Sequence, residues 1–357
     1  MGGLVLIRYW DILLRFIPPS FSPNWISLFS FVIQCVSFLI SFVFSKGLTE
    51  KLESWACFIN GICLFLSQTC SKLDGLQARR CKCSSGIGHI INSGFGSPNC
   101  VLECMKLAAS FNFGLTYTSF YLILLAEVGY FLSILIEYLS QQNYSWYMSF
   151  STEGLIILSI FHLIAGFFPS LESIVKTLPV TIVFFSLFGL YCVYIIIRLV
   201  VIIRNKKADI GKILLALLPT IVSVLVFVAN FNLQHSKKII SPFFLISIGL
   251  CFQYMSQKLV FFGLISRHPI KLFNIWSFVY WIGAIFPIVY PSLNDKHYFW
   301  LGYFACSIGI SLISNVLLLM KSSEMLSIPL FSVKQTEPDE FMNETENSNA
   351  GQTNMFE

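Results

Sequence analysis

The chain contains ten apolar runs, most of them close to the roughly 20 residues that a membrane-spanning helix needs. The second and fifth runs are short, and the third carries two charged residues, Glu103 and Lys106. The sequence therefore predicts an all-α, polytopic membrane protein with about ten transmembrane helices. The runs cover residues 26–45, 54–70, 86–110, 113–138, 154–170, 179–203, 213–233, 242–265, 272–292 and 298–320.

The composition supports this prediction and excludes other classes of protein. Apolar residues make up 56% of the chain and charged residues only 11%, whereas a soluble domain has about 25% charged residues. This excludes an ordinary water-soluble enzyme, a nucleic-acid-binding module and a disordered protein. No nucleic-acid partner is expected.

Three segments follow from the distribution of charge and hydrophobicity. Residues 1–25 contain Arg8, Asp11, Arg15 and three prolines, which is typical of an interfacial amphipathic segment. Residues 26–320 form the predicted transmembrane domain. Residues 321–357 hold seven acidic residues and two lysines without apolar periodicity, which predicts an acidic, disordered cytosolic tail.

The basic loops predict the orientation. With the N-terminus in the cytosol, the basic groups at 79–82, 204–207 and 267–271 all lie on the cytosolic side, as the positive-inside rule requires. Lys237 and Lys238 are the exception.

The segment 67–97 contains the residues whose spacing indicates a functional site. Asp74-Gly75, Ala78-Arg79 and Gly88 stand at positions that resemble the signature D-x₂-D-G-x₂-A-R-x₈-G-x₃-D-x₃-D of the CDP-alcohol phosphotransferases. The piece from Leu73 to Arg80 is most similar to the choline/ethanolamine phosphotransferase branch. Pro23-Asn24, before the first apolar run, is also similar to that branch.

This resemblance implies a function and a site. Members of the family move a substituted phosphate from a CDP-alcohol to a lipid hydroxyl, using Mg²⁺ or Mn²⁺ held by four carboxylates on two helices. It implies that Asp74, Gly75, Ala78, Arg79 and Gly88 bind CDP and that diacylglycerol is the acceptor. It also implies a multi-pass protein of the endoplasmic reticulum or Golgi, with the motif facing the cytosol, that pairs with itself or with a related protein.

The four acidic positions of the signature are mostly replaced. They fall on Ser71, Asp74, Asn92 and Gly96, so that Asp74 is the one carboxylate left. Ser71 and Asn92 offer weak, neutral oxygen ligands to a metal. Gly96 stands where the family has its proposed base, and it has no side chain to accept a proton. Metal binding is therefore expected to be impaired.

Two nearby residues are candidates for the missing base. His89 lies on the same predicted helical face as Asn92 and Gly96, and Glu103 lies seven residues beyond Gly96. Each has an alternative interpretation: His89 as an interfacial histidine without a catalytic role, and Glu103 as the partner of Lys106 or as an acid that faces a water-filled cavity. Asp74 has one too, as a helix cap or a partner of Arg79, and Arg79 could simply enforce the topology. Gly75 and Gly88 could likewise serve close helix packing.

Three functional hypotheses remain. The first is a phosphotransferase that moves phosphocholine or phosphoethanolamine to diacylglycerol, with weak or lost activity. The second is an inactive pseudoenzyme that binds CDP or lipid or regulates a partner. The third is a lipid or solute transporter, which no inverted repeat in the sequence supports.

Overall fold

The computed structural model of the chain describes residues 2–83, 85–140, 154–170, 178–206, 210–236, 240–265, 275–293, 296–326 and 330–331. Within these ranges the fold is all-α, with eleven α-helices, one short 3₁₀ turn and no β-strand. The helices are α1 (Gly2–Arg15), α2 (Pro23–Phe44), α3 (Ser54–Arg80), α4 (Gly86–Ser110), α5 (Tyr117–Ser140), α6 (Leu155–Phe167), α7 (Leu178–Lys206), α8 (Ile210–Ser236), α9 (Pro242–Ile265), α10 (Ile275–Val289) and α11 (His297–Leu326).

Each of the ten predicted apolar runs overlaps one of the helices α2 to α11. Six described segments are long and apolar enough to cross a membrane: Pro23–Phe44, Ser54–Arg80, Tyr117–Leu139, Leu217–His235, Pro242–Phe261 and Tyr298–Glu324. Two more apolar helical segments, Leu155–Phe167 and Phe278–Val289, are shorter. The polytopic, all-α membrane architecture is thus confirmed, whereas the count of ten spans stays a prediction.

The two ends of the chain bear on the predicted segments. Helix α1 occupies most of the predicted N-terminal segment and ends at Arg15. Helix α11 continues to Leu326, past the predicted domain end at residue 320. The predicted acidic tail from residue 332 onward lies outside the described residues.

Helix α2 shows how the bundle is oriented toward lipid. Its polar residues lie on one buried stripe, at Ser27, Ser30, Gln34, Ser37 and Ser41. Its large exposed apolar residues lie on another stripe, at Phe29, Val32, Val36, Leu39 and Val43. Both stripes follow helical spacing. This polarity is the inverse of that of a water-soluble helix, as expected when the outer surface meets hydrocarbon and polar groups find partners within the bundle.

The polar stripe of α2 joins the two helices that carry the signature. Helix α2 packs against both α3 and α4, while α3 packs more on α2 and α6 than on α4. Ser30 Oγ lies 2.8 Å from Ser67 Oγ on α3, and Ser41 Oγ donates to Asn60 Oδ1 on α3 at 2.8 Å. On its far side α4 packs against α5 and α9, and α9 packs against α11. Helix α4 therefore lies between the α2–α3 side of the bundle and the α5–α9 side.

Candidate functional site

Asp74, the remaining carboxylate of the signature, lies in the last two turns of α3 and is buried. Its Oδ2 accepts a hydrogen bond of 2.6 Å from Ser27 Oγ in the second turn of α2. Arg79 lies five residues further along α3 with an exposed side chain. Asp74 is thus fixed by α2, and Arg79 is on the surface near the end of α3.

The glycines of the signature differ in their surroundings. A Cβ atom added at Gly75 would meet no other atom within 4 Å, so the backbone there faces open space. A Cβ at Gly88 would lie 3.3 Å from Asn24 Oδ1, so the first turn of α4 lies close to the first turn of α2. Asn24 and Ser27 are three residues apart on α2 and therefore on one face. Asp74 and Gly88 therefore both lie next to the first two turns of α2, and the backbone at Gly75, next to Asp74, faces open space.

The other positions of the signature are less closely gathered. Ser71, one turn before Asp74, and Ala78 are half-buried, while Asn92 is exposed. Gly96 faces a neighbouring helix: a Cβ built there would lie 2.0 Å from Tyr130 Oη on α5. Tyr130 Oη donates to the Ser93 carbonyl at 2.9 Å. The space of the missing side chain at 96 is therefore filled by a tyrosine that the spacing of the signature could not reveal.

His89 also points toward α5. Its Nε2 lies 3.3 Å from Glu137 Oε1, and the two side chains are 37% and 27% exposed. His89 is thus part of a half-exposed pair between α4 and α5, and Glu137 is a carboxyl group near the signature that the sequence did not single out.

Glu103 lies deep in the bundle within a network of buried polar groups. Its carboxylate is 2.5 Å from Lys106 Nζ and 3.6 Å from His162 Nε2 on α6. Lys106 Nζ also donates to Gln34 Oε1 at 2.5 Å and to Ser37 Oγ at 2.9 Å, both on the polar stripe of α2. This geometry is that of an ion pair joining α2, α4 and α6, which is the alternative that the sequence offered for Glu103.

The donor set at the site does not fit a pair of divalent cations. No group of three or more His, Cys, Asp and Glu side chains able to hold a metal occurs among the residues that the structure describes. At the signature itself, Asp74 supplies one carboxylate, already engaged by Ser27, and position 96 is filled by Tyr130. Mg²⁺ dehydrates reluctantly and is held in proteins chiefly by carboxylates and substrate phosphates.

Two side chains beside the signature fix the chain before α2. Arg80 donates hydrogen bonds to the carbonyls of Leu14 and Ile17, and the distance from Nη1 to Leu14 O is 2.6 Å. Gln77 Nε2 donates to Pro18 O at 2.9 Å and to Phe21 O at 3.0 Å. These contacts attach the α1–α2 connection to the end of α3. They join residues more than 50 positions apart, so local pattern could not have predicted them.

We expect Arg80→Ala to lower the free energy of unfolding by about 2 kcal/mol, since hydrogen bonds from a charged donor contribute about 1.5–3 kcal/mol. Proteolysis of the α1–α2 connection should accelerate in parallel. The measurements are thermal unfolding of the purified protein in detergent and limited proteolysis. Arg79→Ala is the matched control, because its side chain is exposed. Equal losses in the two variants would contradict the role assigned to Arg80.

Known proteins share part of this sequence, although no protein-family model matches the chain. "Uncharacterized CDP-alcohol phosphatidyltransferase class-I family protein 3" of Dictyostelium discoideum is 34% identical over 119 residues, which is 33% of this chain and 30% of that protein. Choline/ethanolaminephosphotransferase 2 of Arabidopsis thaliana is 32% identical over 110 residues, 31% of this chain and 28% of that protein. Cholinephosphotransferase 1 of Danio rerio is 34% identical over 86 residues, 24% of this chain and 22% of that protein.

The aligned segments thus cover less than a third of the length of these three relatives. Their names agree with the resemblance carried by residues 67–97. Over these segments the chain is thus related to proteins named as CDP-alcohol phosphatidyltransferases and as choline/ethanolamine phosphotransferases.

Proposed function

We propose that this chain is a membrane protein of phospholipid synthesis that retains the CDP-alcohol-facing part of its family's site but has weak or no phosphotransferase activity. The reaction expected of a choline/ethanolamine phosphotransferase would move phosphocholine or phosphoethanolamine from a CDP-alcohol to diacylglycerol. The observation that carries the proposal is the state of the signature. One buried carboxylate, Asp74, remains, and Tyr130 occupies the space of the side chain at position 96.

Charge explains why this site should transfer poorly. Four carboxylates neutralise two Mg²⁺ or Mn²⁺ ions, whereas Asp74 alone leaves three positive charges uncompensated before the pyrophosphate binds. Nearby carboxyl groups do not offer an obvious replacement, because Glu103 is paired with Lys106 and Glu137 with His89. A cation pair of this kind serves to neutralise charge in a phosphoryl displacement. Its loss would remove the main source of rate acceleration.

The nucleotide side of the site is better preserved. Gly75 has open space over its backbone, and Gly88 lies against Asn24 next to the Ser27–Asp74 contact. Small residues at such places let a ligand approach the main chain closely. These features favour the pseudoenzyme as the second candidate: a protein that binds CDP-alcohol or lipid, or that pairs with itself or a related protein, without turnover. In both cases the site faces the cytosol from the endoplasmic reticulum or Golgi membrane.

The test is the release of CMP by the full chain in liposomes that contain diacylglycerol. With CDP-choline or CDP-ethanolamine and either Mg²⁺ or Mn²⁺, we expect far less CMP than the Arabidopsis thaliana relative releases, and little or no more than Asp74→Ala produces. The Arabidopsis thaliana relative, assayed in parallel, verifies the liposomes and substrates. Robust CMP release by the native chain, comparable to that of the Arabidopsis thaliana relative and abolished by Asp74→Ala, would refute the proposal. Counterflow of a solute or lipid that is insensitive to Asp74→Ala would instead indicate a transporter.

A further inference from the structure

The contact between Gly96 and Tyr130 is too close to accommodate a side chain on α4. A Cβ built at Gly96 would lie 2.0 Å from Oη, 2.3 Å from Cζ and 2.7 Å from Cε2 of Tyr130. Contacts below 3.0 Å essentially never occur for real Cβ atoms. Because ring atoms as well as the hydroxyl intrude, rotation of the hydroxyl hydrogen cannot relieve the overlap. Position 96 can carry a side chain only if the ring of Tyr130 moves.

Contacts on both sides of Gly96 hold α5 against α4, and one of them fixes the hydroxyl of Tyr130. On one side Tyr130 Oη donates to the Ser93 carbonyl at 2.9 Å. On the other, Glu127, one turn before Tyr130 on α5, has its Oε2 2.5 Å from Ser97 Oγ. Ser97 Oγ also lies 2.9 Å from the Gly249 carbonyl on α9. Helices α4, α5 and α9 are thus fixed relative to one another at this level, and staggered rotamers leave the tyrosine few other positions.

We propose that Tyr130 is a plug that takes the place of the side chain missing at position 96 and closes the acceptor side of the site. The assignment of position 96 to that side rests on the proposed function. Tyr130 is not a substitute base, since a phenol is protonated at neutral pH and this one donates to Ser93. Gly96 and Tyr130 therefore form a coupled pair, and a carboxylate cannot return to position 96 while the ring stays.

A double-mutant cycle on thermal unfolding of the full chain in detergent tests the coupling. Gly96→Ala should lower the unfolding temperature by about 3–10 °C, because overpacking is destabilising. Gly302→Ala on α11 is the matched control. A Cβ there meets nothing within 4 Å, so the better helix propensity of alanine should leave the unfolding temperature unchanged or raise it.

The second arm removes the ring. Tyr130→Ala lowers the unfolding temperature by itself, because it leaves a cavity. Adding Gly96→Ala to Tyr130→Ala should then cost little or nothing. In Tyr130→Phe, which keeps the ring carbons, Gly96→Ala should still be costly. The proposal is overturned if Gly96→Ala is tolerated as well as Gly302→Ala, or if its loss is the same with and without the ring.

This outcome can be separated from that of the proposed function. The cycle measures a steric coupling, and its result is independent of whether CMP is released. Robust release of CMP by the native chain, together with the expected coupling between Gly96 and Tyr130, would refute the proposed function. The steric coupling would then stand, but Tyr130 would not close the acceptor side of the site. An additive cycle in a chain that releases no CMP would refute the plug alone.

Discussion

Lys106→Met is expected to lower the free energy of unfolding by about 3–5 kcal/mol, as found when one partner of a buried ion pair is removed. Lys106 is completely buried and Glu103 is 4% exposed. The substitution leaves the Glu103 carboxylate in the bundle without its nearest cation, and it removes the donor to Gln34 and Ser37. Chemical unfolding of the purified protein in detergent measures the loss.

The chain offers a matched control in Lys46–Glu50, an ion pair with the same N–O distance of 2.5 Å but side chains that are 68% and 54% exposed. Lys46→Met should cost less than about 1 kcal/mol, because exposed pairs are solvated and screened. Combining Glu103→Gln with Lys106→Met should recover much of the loss, since no uncompensated buried charge remains. A double variant as unstable as the sum of the two single variants would show that the pair is not coupled.

The sequence predicted half of this network. Glu103 and Lys106 are three residues apart, so on a helix they must lie on one face, and their pairing is one of the interpretations that the sequence offers for Glu103. His162 could not be assigned to the network, because nothing local indicates that α6 packs near this part of α4. The same limit applies to Gln34 and Ser37, whose partner lies about 70 residues away.

The helices themselves were well predicted from hydrophobic length. Each of the ten apolar runs overlaps a helix, because a long apolar run in lipid has few alternatives to a helix. The polarity of α2 was missed for a related reason. Averaged hydropathy hides a stripe such as Ser27, Ser30 and Gln34 within an apolar run, although that stripe positions both Asp74 and Lys106.

For the candidate site, spacing identified the residues of the signature but not their neighbours. Asp74 and Gly88 each lie against the start of α2, at Ser27 and Asn24. The fit of Tyr130 over Gly96 depends on how α5 packs against α4, which no pattern within either helix specifies. The replacement of carboxylates could be read from the sequence, whereas what fills the vacated space required the packing of the helices.

Restoring the three missing aspartates of the signature should therefore also require the removal of the Tyr130 ring. The variant that combines Ser71→Asp, Asn92→Asp, Gly96→Asp and Tyr130→Ala is expected to bind Mn²⁺ about tenfold or more tightly than the native chain, because divalent-cation affinity rises with the number of charged oxygen ligands. Electron paramagnetic resonance of Mn²⁺ titrated into the purified protein measures this directly. Adding Asp74→Ala to the fourfold variant should weaken the binding again.

The triple variant that keeps Tyr130 is the decisive comparison. The carboxylate introduced at position 96 would have to displace the ring, so this variant should unfold at a lower temperature than the fourfold variant and bind Mn²⁺ more weakly than the fourfold variant does. Since the two proteins share the same three new carboxylates, a difference between them isolates the steric effect of Tyr130 from the electrostatic effect of the ligands. If the triple variant binds Mn²⁺ as tightly as the fourfold variant, missing charge alone explains the degenerate site. If neither variant binds, Ser71, Asn92 and Gly96 do not converge with Asp74 on one cation site, and the correspondence between this segment and the family signature fails at those positions.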